Sequence, residues 1–401
     1  MPLMAVAGAM PVRKHLGPEI VPGRLTASAV PDWSRRIPAL DGLRGVAIGM
    51  VLLCHSVFSL RAKSFLLALP KTNSMLLSPL LKAGTLTWSG VDLFFVLSGF
   101  LIGGILLDAK HSPRYFKTFY MRRIFRIFPL YFLVTSLVLF WHYPTHLPGP
   151  ADRPLVAYFT LTQNWWLMGL PTLGATWSLC VEEQFYLTIP FVIRSFTRRR
   201  LIAVLVSIVV AAPLLRVLLH YHYLHGDKFC YILTPCRADA LCLGVLSAIL
   251  VRSSGGWRLL VTNRTWIRGA LLGLFGGVAY MTWKGYDLFT PPMNTFGYTW
   301  MALFYTLGLL AVVSSRGGFV HDLLCDRRLM GLGTLAYCAY LIHVPLMRVG
   351  RSMLATLFHI SGETCWFLGG MLGIAATLVV ASMSWRFFEK PLLRIGRTFE
   401  Y

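Results

Sequence analysis

A histidine and an arginine stand eleven positions apart in an otherwise apolar stretch, LDGLRGVAIGMVLLCH, which runs from Leu40 to His55. In an α-helix this spacing is about three turns, or about 16 Å of rise, so Arg44 and His55 project from one face. Histidine can take a proton from a hydroxyl near neutral pH. The spacing predicts Arg44 at one mouth of a membrane helix and His55 near mid-membrane, as a general base. The alternative is an imidazole hydrogen-bonded inside a helix bundle.

An arginine cluster is the second group with the means to do chemistry. Arg122, Arg123 and Arg126, within RYFKTFYMRRIFRIFPLYF, fall at helical spacings of three and four residues. Arginine's planar fork suits phosphate oxygens. One interpretation is therefore a clamp for the pyrophosphate or ribose phosphate of a cytosolic donor. The other is a cytoplasmic segment anchored to lipid phosphates at the membrane surface.

Two adjacent carboxylates, Glu182 and Glu183, interrupt the apolar stretch ATWSLCVEEQFYLTIP. They point about 100° apart on a helix, which predicts separate tasks. The alternative is that one or both pair with arginines of neighbouring helices. In GVDLFFVLSGFLIGGILL, Ser98 and Gly99 either allow close helix packing or line a channel for a bulky ligand.

Further ionisable residues fall within apolar stretches. Asp92, Arg237 and Asp239 predict structural ion pairs between helices, and His343 in AYCAYLIHVP is a second intramembrane imidazole. The eight cysteines include no CxxC pair and no ligand spacing with histidine, so no metal site is predicted.

The composition is that of a protein that spans the lipid bilayer. Of 401 residues, 56% are hydrophobic and 13% charged, and the mean hydropathy is +0.62. A soluble globule could not bury so much apolar surface. The net charge of +22 is spread in short clusters rather than one patch, which argues against nucleic acid as a partner.

Ten apolar runs of about 20 residues predict an all-α polytopic integral membrane protein. Their approximate limits are 42–60, 84–107, 127–143, 174–193, 201–219, 229–250, 269–286, 296–314, 331–350 and 364–386. Lys and Arg number 27 in the segments on the N-terminal side of this alternation and 9 on the other, which predicts that both termini are cytoplasmic. Pro129 and Pro190 are expected to interrupt or end the third and fourth spans. Residues 1–35 are predicted to form a flexible cytoplasmic extension.

Seven motifs in a fixed order resemble the membrane-bound acyltransferase family 3. They are RIPALDGLRGVAIGMVLLCH, GVDLFFVLSGFLI, RRIFRIFPLYF, TWSLCVEEQFYL, PCRADALCLG, LAYCAYLIHVP and WRFFEKP. The family contains bacterial O-antigen, exopolysaccharide, Nod-factor and macrolide O-acyltransferases. The resemblance covers a transmembrane domain at 36–396, which leaves 397–401 as a C-terminal tail.

This resemblance implies a ten-helix domain in the bacterial inner membrane that takes an acyl group, usually acetyl, from cytosolic acyl-CoA. The acceptor is a hydroxyl of a carbohydrate or glycolipid, with a surface polysaccharide or its lipid-linked precursor favoured. The family's essential arginine and histidine match Arg44 and His55. Its arginine-rich motif matches Arg122, Arg123 and Arg126, and its glutamate motif matches Glu182 and Glu183. Some members carry an extracytoplasmic hydrolase-like domain, and this chain is expected to be a stand-alone member.

The expected mechanism combines the chemistry of these residues with the family resemblance. The arginine cluster holds acetyl-CoA, its pantetheine arm passes Ser98 and Gly99, and His55 acts as general base or carries the acyl group in an intermediate. Arg44 and Asp41 organise the first helix or the donor, and one glutamate orients the histidine or the acceptor. A transporter or flippase is the alternative function. Its usual inverted repeats and paired broken helices are not evident in the sequence.

Overall fold

A computed structural model describes residue 33 and residues 37–56, 84–142, 155–166, 170–315 and 317–401. All regular secondary structure within these ranges is helical. The all-α prediction is therefore confirmed. The predicted extension at 1–35 lies outside the described residues apart from Trp33, and the domain limits stay predictions.

The described residues form a series of α-helices. They are α1 Pro38–Ser56, α2 Gly90–Asp108, α3 Tyr115–His142, α4 Val156–Phe159, α5 Trp177–Ser195, α6 Arg198–His222, α7 Gly226–Ile232, α8 Thr234–Val251, α9 Ser254–Thr262, α10 Arg264–Trp283, α11 Tyr298–Ser314, α12 Phe319–Leu324, α13 Arg327–Leu357, α14 Gly362–Ser384 and α15 Lys390–Arg397. Two π-helical turns, Met293–Gly297 and Trp385–Glu389, lead into α11 and α15.

Eight helical segments of the described chain are long and apolar enough to cross a membrane. They are Pro38–Ser56, Leu86–Asp108, Tyr115–Trp141, Arg198–His222, Gly226–Val251, Met293–Ser314, Arg327–Leu357 and Gly362–Arg397. They correspond to eight of the ten predicted spans, which supports a polytopic membrane protein. The other two predicted spans form α5 and α10, of 19 and 20 residues. Neither is among the eight, and α5 carries two glutamates and an arginine.

Two sequence expectations about helix limits were wrong. The third span begins at Tyr115 rather than near residue 127, so the arginine cluster lies on α3 and not in a separate segment. Pro129 and Pro190 lie inside α3 and α5, which continue past them. Side chains bond the backbone close to both prolines: the Tyr337 hydroxyl donates to the Ile127 carbonyl at 2.7 Å, and the Tyr115 hydroxyl donates to the Pro190 carbonyl at 3.0 Å.

The predicted ion pairs between helices are confirmed. Asp92 on α2 pairs with Arg237 on α8, and both side chains are about 1% exposed. Arg216 on α6 pairs with Asp239 through Nη1 and Oδ2 at 3.0 Å. Charges at this depth are costly unless they are paired, so these contacts set the register of α2, α6 and α8.

Cytoplasmic termini remain a prediction, which single cysteines can test. In a background in which Cys54 and Cys325, the two cysteines that are not buried, become alanine, Pro171→Cys and His111→Cys each supply one accessible thiol. We expect Pro171→Cys to react with an impermeant maleimide added to intact cells, or to cells whose outer membrane, where there is one, has been permeabilised. His111→Cys should react only after the inner membrane is opened. The reverse order would put the arginine cluster outside the cytosol.

Candidate active site

The larger of the two described cavities, here called the arginine cavity, has a volume of about 520 Å³. Seven of the ten predicted site residues line it: Asp41, Arg44, Ser98, Arg122, Arg123, Arg126 and Glu182. Its described wall contains five arginines and three carboxylates, because Arg397 and Glu389 also contribute. The formal excess of positive charge suits an anionic ligand.

The arginine cavity is long. Its wall follows α2 from Ile105 to Val91, fourteen residues or about 21 Å of helical rise. Within it the Ser98 hydroxyl donates to Glu182 Oε1 at 2.6 Å. Arg44 Nη1 lies 3.4 Å from Asp41 Oδ1, one turn earlier on α1. The charged mouth therefore continues into a channel whose deeper wall is largely apolar.

The arginine cluster is held by neighbouring parts of the chain. Arg122 Nε donates to the Phe399 carbonyl at 2.8 Å, and its guanidinium carbon lies 5.1 Å from the centre of the Tyr401 ring. Burial raises the pKa of the Tyr401 hydroxyl, so the ring stays neutral. The Arg123 guanidinium lies 5.0 Å from the Tyr186 ring. The predicted C-terminal tail thus packs against α3 and helps to position Arg122 at the cavity wall.

His55 lines a second, smaller cavity of about 190 Å³, here called the His55 cavity. Its Nδ1 is 3.0 Å from the Val51 carbonyl oxygen, so a neutral ring carries its proton there and presents the lone pair of Nε2. Val91 and Tyr340 line both cavities, which are therefore neighbours. His55 lies next to the last described residue of α1, and its predicted depth near mid-membrane stays a prediction.

The His55 cavity adjoins the end of the arginine cavity that is formed by Val91 and Tyr340. The arginine cavity is lined along α2 from Ile105 to Val91 and by residues of α1 and α3, whereas the His55 cavity is lined by the last described turns of α1 and by residues at or just before the starts of α2 and α5. Arg44 and His55, predicted along one channel, are separated into adjoining cavities.

A second imidazole lies behind His55. The rings of His55 and His343 meet edge-on with their centres 4.8 Å apart. His343 is fully buried, its Nδ1 is 2.7 Å from the Tyr340 carbonyl oxygen, and its Nε2 has no hydrogen-bond partner among the described residues. The sequence contains this histidine but does not indicate that it meets His55, because 288 positions separate the two along the chain. Only the packing of α1 on α13 joins them.

Gly99 and Glu183 line neither cavity. A Cβ atom on Gly99 would lie 2.0 Å from the Leu241 carbonyl oxygen, so this glycine permits close packing of α2 on α8. Glu183 Oε1 is buried without a hydrogen-bond partner in the described part of the chain. Neither glutamate reaches the His55 cavity, so the predicted orientation of His55 by a glutamate has no support in this arrangement.

Substitutions at Ser98 and Gly99 distinguish a role in the cavity wall from a role in helix packing. We expect Ser98→Ala to lower turnover by about 10-fold at normal membrane abundance, because it removes a hydrogen bond to a carboxylate. Gly99→Ala should instead lower abundance and thermal stability, because the new methyl group meets backbone atoms of α8. Immunoblots of membranes and melting curves in detergent measure both effects. A stable Gly99→Ala protein, or a Ser98→Ala protein that fails to accumulate, would contradict this assignment.

Sequence reasoning assigned no role to several residues of these walls. Glu389 lines the arginine cavity from a π-helical turn, accepts a hydrogen bond from the Ser384 hydroxyl at 3.1 Å, and belongs to the motif WRFFEKP. π-Helical turns are frequent at functional sites, but they are not visible in a sequence. Trp88 and Trp177 line the His55 cavity together with Tyr340. Each stands more than a hundred positions from Tyr340 in the sequence, so no local pattern predicts that they meet.

Comparison with known proteins agrees with these features. The family described as acyltransferase domain matches residues 37–386. Peptidoglycan O-acetyltransferase OatA of Listeria monocytogenes is 27% identical over 91% of this chain and 57% of its own length. The putative peptidoglycan O-acetyltransferase YrhL of Bacillus subtilis is 27% identical over 90% and 56%, and the O-acetyltransferase OatA of Staphylococcus aureus is 24% identical over 90% and 58%. No solved structure matches the chain.

The chain spans less than three fifths of the length of these curated relatives. The family match nevertheless covers most of the chain and contains both cavities' principal charged and imidazole side chains. The apolar helices and the bacterial relatives make it a multi-pass protein of the bacterial plasma membrane. By this match the chain belongs to the acyltransferase family 3 of membrane proteins.

Proposed function

We propose that this protein is an O-acyltransferase that takes an acetyl group from acetyl-CoA in the arginine cavity and transfers it to a hydroxyl of a carbohydrate or glycolipid in the His55 cavity. The observation that carries the proposal is the contact of the two cavities at Val91 and Tyr340. The relatives named as peptidoglycan O-acetyltransferases support a surface polysaccharide, or its lipid-linked precursor, as the acceptor.

The donor is proposed to enter from the side of the arginine cluster. Arg122, Arg123 and Arg126 offer forked donors to the phosphates of coenzyme A, and Arg44 adds positive charge deeper in the cavity. The pantetheine arm then extends along α2 past Ser98 and brings the thioester to the wall formed by Val91 and Tyr340. A cytosolic coenzyme would thus meet an acceptor in the adjoining His55 cavity.

His55 is proposed to act as the general base. Its Nε2 takes the proton of the acceptor hydroxyl while the hydroxyl oxygen bonds to the thioester carbonyl carbon. The carbon–sulfur bond then breaks, and the imidazolium returns the proton to the departing thiolate. The products are an acetyl ester and the thiol form of coenzyme A. An acetyl-His55 intermediate is the second route, in which Nε2 itself attacks the thioester.

Binding of the donor and modification of a glycan together test this function. Acetyl-CoA should raise the melting temperature of the purified protein, and mass spectrometry should find alkali-labile acetyl groups on surface glycans or glycolipids only in cells that carry the gene. Glycans of unchanged mass, but altered distribution across the membrane, would instead favour a transporter or flippase. No shift by acetyl-CoA would remove the donor assignment.

A further inference from the structure

We propose that the His55 cavity is a subsite for one uncharged sugar ring, which stacks on the aromatic wall of this cavity with one hydroxyl presented to His55. The inference rests on the proposed function and assigns the acceptor's position and chemical class. The described lining of the cavity consists of Val51, Cys54, His55, Trp88, Val91, Gly174, Ala175, Trp177, Tyr231, Leu288 and Tyr340.

The chemistry of this wall differs from that of the arginine cavity. Four of its eleven described lining residues are aromatic, and none is Asp, Glu, Lys or Arg. A ligand with a carboxylate or phosphate would lose its hydration on entering this cavity. Because no opposite charge lines the described wall, this desolvation would cost free energy. Aromatic faces, in contrast, cover the apolar C–H faces of a pyranose ring and leave its hydroxyls at the edge for hydrogen bonds.

Three of the four aromatic side chains are in contact with one another through Tyr231. The Trp177 and Tyr231 rings are 4.5 Å apart, and the Trp88 and Tyr231 rings are 6.4 Å apart. The Arg237 guanidinium, which is buried and paired with Asp92, lies 5.4 Å from the Tyr231 ring. A buried ion pair thus packs against the aromatic wall, which limits the side-chain entropy that is lost when a sugar ring stacks on Tyr231.

The size and position of the cavity limit what it can hold. Its volume of about 190 Å³ suits one sugar ring and is far smaller than the arginine cavity of about 520 Å³. His55 is exposed within the described chain and lines the cavity, whereas His343 is buried behind it. Tyr340 lies in the wall shared with the donor channel, so a hydroxyl beside His55 is adjacent to the path of the thioester.

A matched set of tryptophan variants tests the subsite. Trp177→Leu removes the aromatic face, Trp177→Phe keeps a smaller one, and Trp266→Leu changes a tryptophan that is 80% exposed on α10 and remote from both cavities. In membranes that contain the endogenous acceptor and labelled acetyl-CoA, we expect Trp177→Leu to reduce acetyl transfer by at least 10-fold. Trp177→Phe should recover part of the loss, and Trp266→Leu should match the unsubstituted protein.

Two further readouts decide the interpretation. Acetyl-CoA should raise the melting temperature of Trp177→Leu as much as that of the unsubstituted protein, and mass spectrometry should locate the acetyl ester on a sugar residue without an ionisable group. Loss of the acetyl-CoA shift would assign the cavity to the donor and overturn the inference. An ester on a carboxylate-bearing or phosphorylated ring would overturn it as well. If the unsubstituted protein transfers no acetyl group, the proposed function itself fails.

Discussion

His55→Ala is expected to lower acetyl transfer by about 10²- to 10⁴-fold, the usual contribution of a positioned general base. His55 lines the proposed acceptor cavity, and because its Nδ1 is bonded to Val51, Nε2 carries the available lone pair. Alanine leaves no group to take the hydroxyl proton. If His55 instead carries the acetyl group, the loss is at least as large. Initial rates with labelled acetyl-CoA, normalised to protein abundance in the membrane, measure the effect.

The control for this prediction is the neighbouring imidazole. His343→Phe keeps an aromatic ring against His55 but removes the Nε2 atom that has no partner in the described chain. We expect it to lower kcat less than His55→Ala does and to leave the KM for acetyl-CoA unchanged. A His55→Ala protein that retains normal turnover would exclude His55 as the base and as the acyl carrier.

Removal of the arginine cluster is expected to have the second largest effect. Arg122→Ala and Arg126→Ala should each raise the KM for acetyl-CoA by about 10- to 150-fold, because a charge-assisted contact contributes roughly 1.5–3 kcal/mol. Lysine at either position should restore only part of the affinity, since it has no planar fork for phosphate. The KM for the acceptor should stay unchanged, because neither arginine lines the His55 cavity.

Arg199→Ala is the matched control for the cluster. Arg199 is exposed at the start of α6 and does not line either cavity, but it lies on the same predicted side of the membrane as the cluster. Its loss should not change the KM for acetyl-CoA. If the double variant of Arg122 and Arg126 binds acetyl-CoA normally, the cluster serves only to anchor the protein at the membrane surface.

Local patterns in the sequence predicted much of the fold. Apolar runs located eight of the candidate spans, and the isolated charges at Asp92, Arg237 and Asp239 indicated ion pairs that the structure contains. The start of α3 was missed because its arginines make the segment polar, while the bundle accommodates them in a cavity wall. Hydropathy alone cannot show that a polar helical turn is sheltered by other helices.

The residues that line each cavity were harder to predict from the sequence. Helical periodicity correctly placed Arg44 and His55 on one helix, but it could not show that Val91 and Tyr340 divide the space between them. Ser98 and Gly99 looked equivalent as small residues, yet only Ser98 lines a cavity, since the next residue along the helix turns about 100° toward α8. Contacts of this kind depend on helix rotation and tertiary packing.

Inside-out membrane vesicles offer the most direct measurement of transfer between the two cavities. They expose the predicted cytoplasmic face and enclose the endogenous glycans or glycolipids. Acetyl-CoA labelled in its acetyl group and added outside should yield an alkali-labile labelled ester on the enclosed material. The His55→Ala protein should yield none, and the Arg122 and Arg126 double variant should do so only at much higher acetyl-CoA. Unlabelled glycans with the unsubstituted protein, or equal labelling by His55→Ala, would contradict the account.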